Sequence, residues 1–496
     1  MNIVLAGCNI DAQVLDEAAS CGVERNRLTP EVVSAAYARI SRDPRPVGEL
    51  RKIALNEVEK ARASNRKIIF GMGHHSVAEH AVFNFDIVGI SRLAIEWLEA
   101  FRLCSFTEKS QRYITLDHDF LVPKEIRNSA EANALRSLVD EQTVLYQELN
   151  THLRSRLSDL HPEMETKKSG RTLLDGWAKE DARYVTILAT TGQLGLTANA
   201  RNLELIIRRS SSAQSEEVKE LGRTLFDAAH RAAPSLLLFT EPSPFDELTP
   251  NELVTLADRL LDKEKTTSDS GQTIAPVLAY HTESPDIMVA AALLHFASNH
   301  SFDSCRQTAN KLSRDDLRAI FETALRRMEF FDAPPRTFEH VTLTFEITLS
   351  ASAYAQLKRH RMTTQTMQGY SPQLGLTIPP TIVEVGLKDK FKAHAARSEE
   401  LFYSLKKLNP AIAPYALTNA HRRKVLLSTN LRELYHLVRL REDSHAQWDI
   451  RNLAKQLRQA AEKIMPLGSL LLCGKDTYAS RYEKVLGAPP QAEPPS

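Results

Sequence analysis

The chain has 496 residues, 43% of them hydrophobic and 25% charged, with a formal net charge of +1 and a mean hydropathy of −0.30. It is too long for one ordinary core, and the balanced charge excludes the basic excess of a dedicated nucleic-acid binder, so no nucleic-acid partner is expected. No stretch approaches the 18 or so uninterrupted apolar residues of a membrane span. The five scattered cysteines (Cys8, Cys21, Cys104, Cys305, Cys473) lack paired metal spacing and fit a reducing cytoplasm.

Ile3-Val4-Leu5-Ala6 reads as a first strand, without the basic leader of a signal peptide, and Pro276-Val277-Leu278-Ala279-Tyr280 resembles it. Thr29 and Pro30 open a helix through Ala38, and the spacing from Leu50 to Arg62 predicts one amphipathic helix. Phe83, Phe85 and Ile87 alternate as a strand does, after the histidine-rich run Gly73-His74-His75-Ser76-Val77-Ala78-Glu79-His80. That run lacks His-Glu-x-x-His spacing, and no metal is expected.

A second copy of this pattern follows. Phe338-Glu339-His340 precedes a strand alternating through Leu343, Phe345 and Ile347. From Glu79 to Arg102 is 23 positions, and from Glu339 to Arg361 is 22, so one copy carries an inserted residue, assigned to Gly89. Arg183 precedes Asn199 by 16 positions, as Pro414 precedes Asn430, and each asparagine opens an amphipathic helix. The halves are therefore read as a duplication. The copies differ where it matters for chemistry: the late one has Arg359-His360-Arg361 where the early one has Ala100-Phe101-Arg102, and the early one has Ser110-Gln111-Arg112 where the late one has Gly369-Tyr370-Ser371. Arginines around an imidazole suit a phosphate, which guanidinium grips with paired charged bonds.

These residues resemble the flavin-dependent thymidylate synthases, the ThyX family. Their Arg-His-Arg stands in the late half as Arg359-His360-Arg361, and their Ser-x-Arg-Tyr in the early half as Ser110-Gln111-Arg112-Tyr113. The early run from Gly73 to His80 and the late helix from Asn430 through Arg441, His445 and Trp448 also match. The resemblance implies an α/β (α+β) fold with two tandem ThyX-like domains, each a mainly antiparallel sheet with packed helices. The expected division is residues 1–240, a linker with a short helix at 241–274 (the helix near Asn251 to Asp262), a second domain at 275–487 and a disordered tail at 488–496.

It further implies synthesis of dTMP from dUMP with methylenetetrahydrofolate and NADPH, with FAD carrying the hydride, in a cytoplasmic protein. Carried over by position, Gln356, Arg359 and Arg441 hold dUMP from one side, and Glu108, Ser110, Gln111, Arg112 and Arg183 from the other. Arg441 is the catalytic candidate. Ser41, His74, Ser76, Glu79, Asn199 and Arg201 match flavin and folate contacts on one side; Arg359, His360, Arg361, His436 and His445 match them on the other. The family's tetramer of single domains implies a homodimer here, a tetramer of domains. Losses sort by half: Trp97, Ala100, Phe101, Ser210 and Gln214 early, Pro334, Gly369, Ser371 and Pro414 late. That division implies one composite site, formed within or between chains. The alternatives are a flavin enzyme acting on another pyrimidine nucleotide and a non-catalytic nucleotide- or flavin-binding paralogue.

Overall fold

A computed structural model describes residues 1–9, 12–23, 28–40, 43–112, 118–261 and 275–492. Ser41, Tyr113 and the end of the expected tail, 493–496, lie outside the described residues. Two compact units emerge: Met1–Thr267 with Pro379–Thr418, and Ser268–Ile378 with Asn419–Ser496.

The first unit is built on an antiparallel sheet of β1 (Asn2–Cys8), β2 (Val82–Ser91), β3 (Ser105–Glu108) and β4 (Thr191–Asn199), in the order β1-β2-β4-β3. The second repeats it with β5 (Val277–His281), β6 (Thr342–Ser350), β7 (Thr364–Met367), β8 (Ser371–Leu376) and β9 (His421–Asn430). Its order is β5-β6-β9-β7, with β8 also on β9. The alternation that marked both central strands now has its cause. Phe83, Phe85 and Ile87 in β2, like Leu343, Phe345 and Ile347 in β6, point into the hydrophobic cores, and the intervening side chains face away.

The extra residue of the early copy is a β-bulge. Pairing of β2 with β4 shifts register between Val88 and Ile90, and Gly89 sits there at φ +75°, a conformation only glycine adopts cheaply. The bulge returns Ile90 to the core, where Leu349 stands in the unbulged β6.

Elsewhere the structure refines the sequence reading. The expected helix Leu50–Arg62 is two helices, Val47–Asn56 and Val58–Asn65, broken at Glu57 with φ −129°. The break lets Val58 and Ala61 join Leu50 and Ala54 against Val32 and Ala35. The linker helix runs Thr249–Leu260, with no buried residue. In the expected tail, the Gln491 and Ala492 amides donate to the Glu329 carboxylate at 3.0 Å.

The largest difference concerns Pro379–Thr418, which the sequence reading assigned to the second domain and which clusters with the first unit. Its helix Lys388–Leu408 buries Phe391, Ala395, Leu401, Phe402 and Leu405 and packs against Ala130–Leu160 of the early copy. His394 Nε2 bonds the Val185 carbonyl at 3.1 Å, and Thr381 Oγ1 donates to Asp181 at 2.6 Å. Helical periodicity marks an apolar face but does not say which partner covers it. Phe391→Ala, removing a ring only 1% exposed, is expected to cost about 3–5 kcal/mol in urea unfolding of the whole chain. A loss below about 1 kcal/mol would mean that this helix does not pack as described.

Candidate active site: two unlike half-sites

In each unit a serine ends the central strand and caps a short helix. Ser91 Oγ accepts from Ala94 N at 3.1 Å and donates to Glu217 at 2.6 Å. Ser350 Oγ accepts from Ala353 N at 3.0 Å and donates to Asp449 at 2.6 Å. These joints set the segments that follow, Arg92 to Arg112 in one unit and Ala351 to Arg361 in the other.

In the first unit the expected nucleotide side gathers around buried cations. Arg112 Nε donates to Glu180 in a short charged bond, and Arg92 donates to Glu108 at 3.0 Å. Ser110 Oγ accepts the Arg112 amide at 3.2 Å, closing the loop that carries both, with Gln111 half-buried between them. Arg183 is 5% exposed. Burial pushes its pKa below the ordinary arginine value, Glu180 pulls the other way, and Arg112 and Arg92 lower it further. A buried guanidinium near two others favours an anionic ligand. Arg92 and Glu180 were not among the sequence candidates. The available signal was positional: Glu180 precedes Arg183 by three residues on one helical face.

Among the residues of that unit expected to meet flavin and folate, His74, Ser76 and Arg201 are exposed, and Arg201 pairs with Glu79 at 2.6 Å. Asn199 caps the helix Ala200–Ser211 through Asn202 N. The second unit repeats the pair as Arg432–Glu339 at 3.2 Å and the cap as Asn430 with Glu433 N.

The second unit holds the Arg-His-Arg segment. Arg359 and Arg361 are exposed, and His360 between them is buried. His360 Nε2 accepts from Arg441 Nε at 2.9 Å, and its Nδ1 lies 3.4 Å from Glu433 Oε1. Burial, then the charges of Arg441 and His436, hold the imidazole well below its usual pKa. Glu433 is displaced upward by burial, with His436 and Arg432 opposing. Four residues before His360, Gln356 is 7% exposed. Neither its Oε1 nor its Nε2 has a hydrogen-bond partner among the described residues. Its exposed neighbour His436 stands edge-on to His360, ring centroids 5.6 Å apart. His445 lies apart from this pattern, bonded through Nδ1 to Asp443 at 2.8 Å. Glu433 was also missed in the sequence, since an acid in a first helical turn reads as an ordinary helix start.

His360, Glu433 and His436 bring one potential ligand atom each within 4.8 Å of one another. The Arg441 guanidinium on His360 already places a cation beside that trio, which opposes a second one. A cavity of about 670 Å³ against β1 is lined by Ile3, Leu15, Arg62 and Arg231 among others, and holds none of the predicted site residues.

Residues at or beside several of the matched positions in the opposite copy are packed by the protein itself. Ser210, where the late copy has Arg441, is fully buried and donates to the Ile207 carbonyl at 2.6 Å. It lies so close to Gly222 that a Cβ there would sit 1.5 Å from Ser210 Oγ. Tyr415, beside Pro414, donates its hydroxyl to Glu217 at 2.6 Å and lies 3.0 Å from Ser215. In the second unit, Tyr370, matched to Gln111, is stacked under Arg423 at 4.1 Å.

These features define a class: a tandem repeat of one antiparallel α+β domain, whose copies carry different clusters of arginine and histidine. The thymidylate synthase complementing protein family model matches residues 25–235 and again 277–467, and the chain belongs to that family. It is similar to a UPF0159 protein of Chlamydia muridarum, 24% identical over 82% of this chain and 80% of that one. A flavin-dependent thymidylate synthase of Clostridium tetani is 28% identical over 43% of this chain and 83% of its own length. Among solved structures, a UMP/dUMP methylase, PolB, of Streptomyces cacaoi is 18% identical, with a TM-score of 0.32 over 40% of this chain and 94% of that one.

The His360 environment makes a pH prediction. Its unfolded pKa is about 6.5, and its folded value lies well below that. On acidification the unfolded chain therefore takes up the proton first, and stability falls as pH drops below about 6.5 toward the folded pKa, by up to ~1.4 kcal/mol per pH unit. His360→Asn is expected to flatten the slope of unfolding free energy between pH 7 and 5. Equal slopes for the two proteins would refute the buried neutral imidazole.

Proposed function

We propose that this protein is an FAD-dependent thymidylate synthase that makes dTMP from dUMP with methylenetetrahydrofolate and NADPH. The two half-sites complete each other in one composite site, and the chain acts as a cytoplasmic homodimer. The observation that carries this reading is the complementarity of the two units. The first presents Arg112 and Arg183, the second presents His360 and Arg441, and the position matched to Arg441 is packed shut by Ser210. Unselective decay would not divide the losses in this way. Among the described residues no helix is long and apolar enough to cross a membrane.

The residues present fit the ligands the reading requires. A buried amide without partners, as at Gln356, costs about 1–3 kcal/mol until something pairs with it, and a pyrimidine edge offers both a donor and an acceptor. Arg112 and Arg183 would hold the phosphate, with Glu108, Ser110 and Gln111 shaping the loop around it and Arg359 adding a second charged grip. Arg441 would face the ring edge where negative charge builds as C5 becomes nucleophilic. His74, Ser76, Glu79, Asn199 and Arg201 on one side, with Arg359, Arg361, His436 and His445 on the other, would hold the flavin and the folate. His360, buried beneath them, steadies Arg441. FAD, when bound, supplies the hydride.

Purified protein is expected to be yellow, with about one FAD per chain by flavin release against protein concentration. Two per chain would mean that the worn pairing still binds and would remove the main support for a composite site. Flavin without turnover would point to the non-catalytic reading.

Substitutions at matched positions separate the halves. Arg112→Ala and Arg183→Ala should mainly raise the KM for dUMP, and Arg441→Ala should lower kcat as well, each costing about 2–4 kcal/mol, roughly 30- to 1,000-fold. Ser371→Ala should leave activity within a few-fold. Near-normal rates in both Arg112→Ala and Arg441→Ala would sink the composite site, as would activity in either half expressed alone.

A further inference from the structure

We propose that Glu433 is a positioning residue: its carboxylate, facing Nδ1 of His360, favours the tautomer that carries the proton there, which keeps Nε2 an acceptor and thereby fixes the plane of the Arg441 guanidinium. Its kinetic consequence rests on the role proposed for Arg441, but the structural claim does not.

The chain of reasoning is short. Arginine has no deprotonated form in proteins and only donates, so the 2.9 Å contact from Arg441 Nε to His360 Nε2 requires a lone pair on Nε2. A neutral imidazole with a bare Nε2 carries its proton on Nδ1. The group facing Nδ1 is the Glu433 carboxylate, 3.4 Å away; Nδ1 makes no hydrogen bond among the described residues, so the carboxylate acts on the N–H through charge across a buried gap. His360 and Glu433 are 2% and 8% exposed, so water does not compete for either. The opposite tautomer would set two N–H donors against each other at Arg441 and turn the bare Nδ1 lone pair toward the Glu433 carboxylate. The remaining charged or titratable neighbours are His436, edge-on to the ring, and Arg432, engaged with Glu339; neither offers a better acceptor to Nδ1.

Glu433 is itself well placed to be rigid. Its backbone amide donates to Asn430 Oδ1 at 2.8 Å, so it sits in the capped first turn of the helix Leu431–Arg441 that also carries Arg441. One rigid element thus supports Arg441 directly and, through His360, from the side.

The test is a pair of variants and two readouts. In protein labelled with ¹⁵N-histidine, with His360 assigned by its loss in His360→Asn, the nitrogen shifts should show a protonated Nδ1 and a bare Nε2. Glu433→Gln keeps an acceptor and should preserve that tautomer, whereas Glu433→Leu should shift the ring toward Nε2–H. In turnover, Glu433→Leu should lower kcat roughly tenfold or more, with the KM for dUMP within about threefold, and Glu433→Gln should recover most of the loss. A merely structural role would make the two variants fall together. An Nε2–H tautomer in the unsubstituted protein, or equal losses in the two variants, overturns the proposal. Should the chain prove to have no thymidylate synthase activity, the nitrogen shifts alone decide it, so the two failures remain distinct.

Discussion

Each unit depends on one serine and one carboxylate at the end of its central strand. Ser91 must leave an extended conformation, φ −65° and ψ 160°, and begin a helix at the next residue; Ser350 does the same. At such a corner the first amides of the helix have no partner within it. The serine oxygen takes one of them, and its own hydrogen goes to Glu217 or Asp449. Glu217 accepts two more bonds, from the Ser91 amide and from Tyr415, and burial raises its pKa against those bonds. The corner is thus fixed to a carboxylate from far along the chain, and the charged segments that follow it inherit that placement.

Duplication explains why the same devices occur twice with different outcomes. The scaffold devices persist in both copies: the serine joints, the asparagine caps, the arginine–glutamate pairs across the cap and the strand order. What differs is the set of side chains that a ligand would meet. Where a guanidinium has gone, the space has not been left open. Ser210, in place of Arg441, lies against Gly222. An unpaired buried cation or a void would each have cost several kcal/mol, so a lost site is expected to be refilled by packing while the kept one retains its strained polar groups.

Those retained groups pull against stability. Arg183 is buried with its pKa lowered, His360 is held neutral, and Gln356 has an amide without a partner among the described residues. Such conflicts between local preference and environment concentrate where a protein binds something. Their appearance in one unit at Arg183, and in the other at the histidine–arginine pair, is the physical counterpart of the sequence asymmetry.

Much of this was legible in the sequence because it rests on period and spacing. Two-residue alternation gave the central strands, the asparagines gave the helix starts, and a one-residue mismatch between copies located the bulge at Gly89. The candidate site residues came from the resemblance to the ThyX family, carried over position by position, which needs no coordinates. Tertiary structure decided what spacing cannot encode. The helix Lys388–Leu408 announces an apolar stripe, but only packing shows it covered by Ala130–Leu160 of the other copy. His360 reads as one of three exposed basic residues, yet it alone is buried, and Glu433 reads as a routine helix-start acid until it lies 3.4 Å from that ring. Sequence fixes which groups a short segment carries. Burial and partner identity come from residues tens or hundreds of positions away, and those set protonation, tautomer and the direction in which a charge is held.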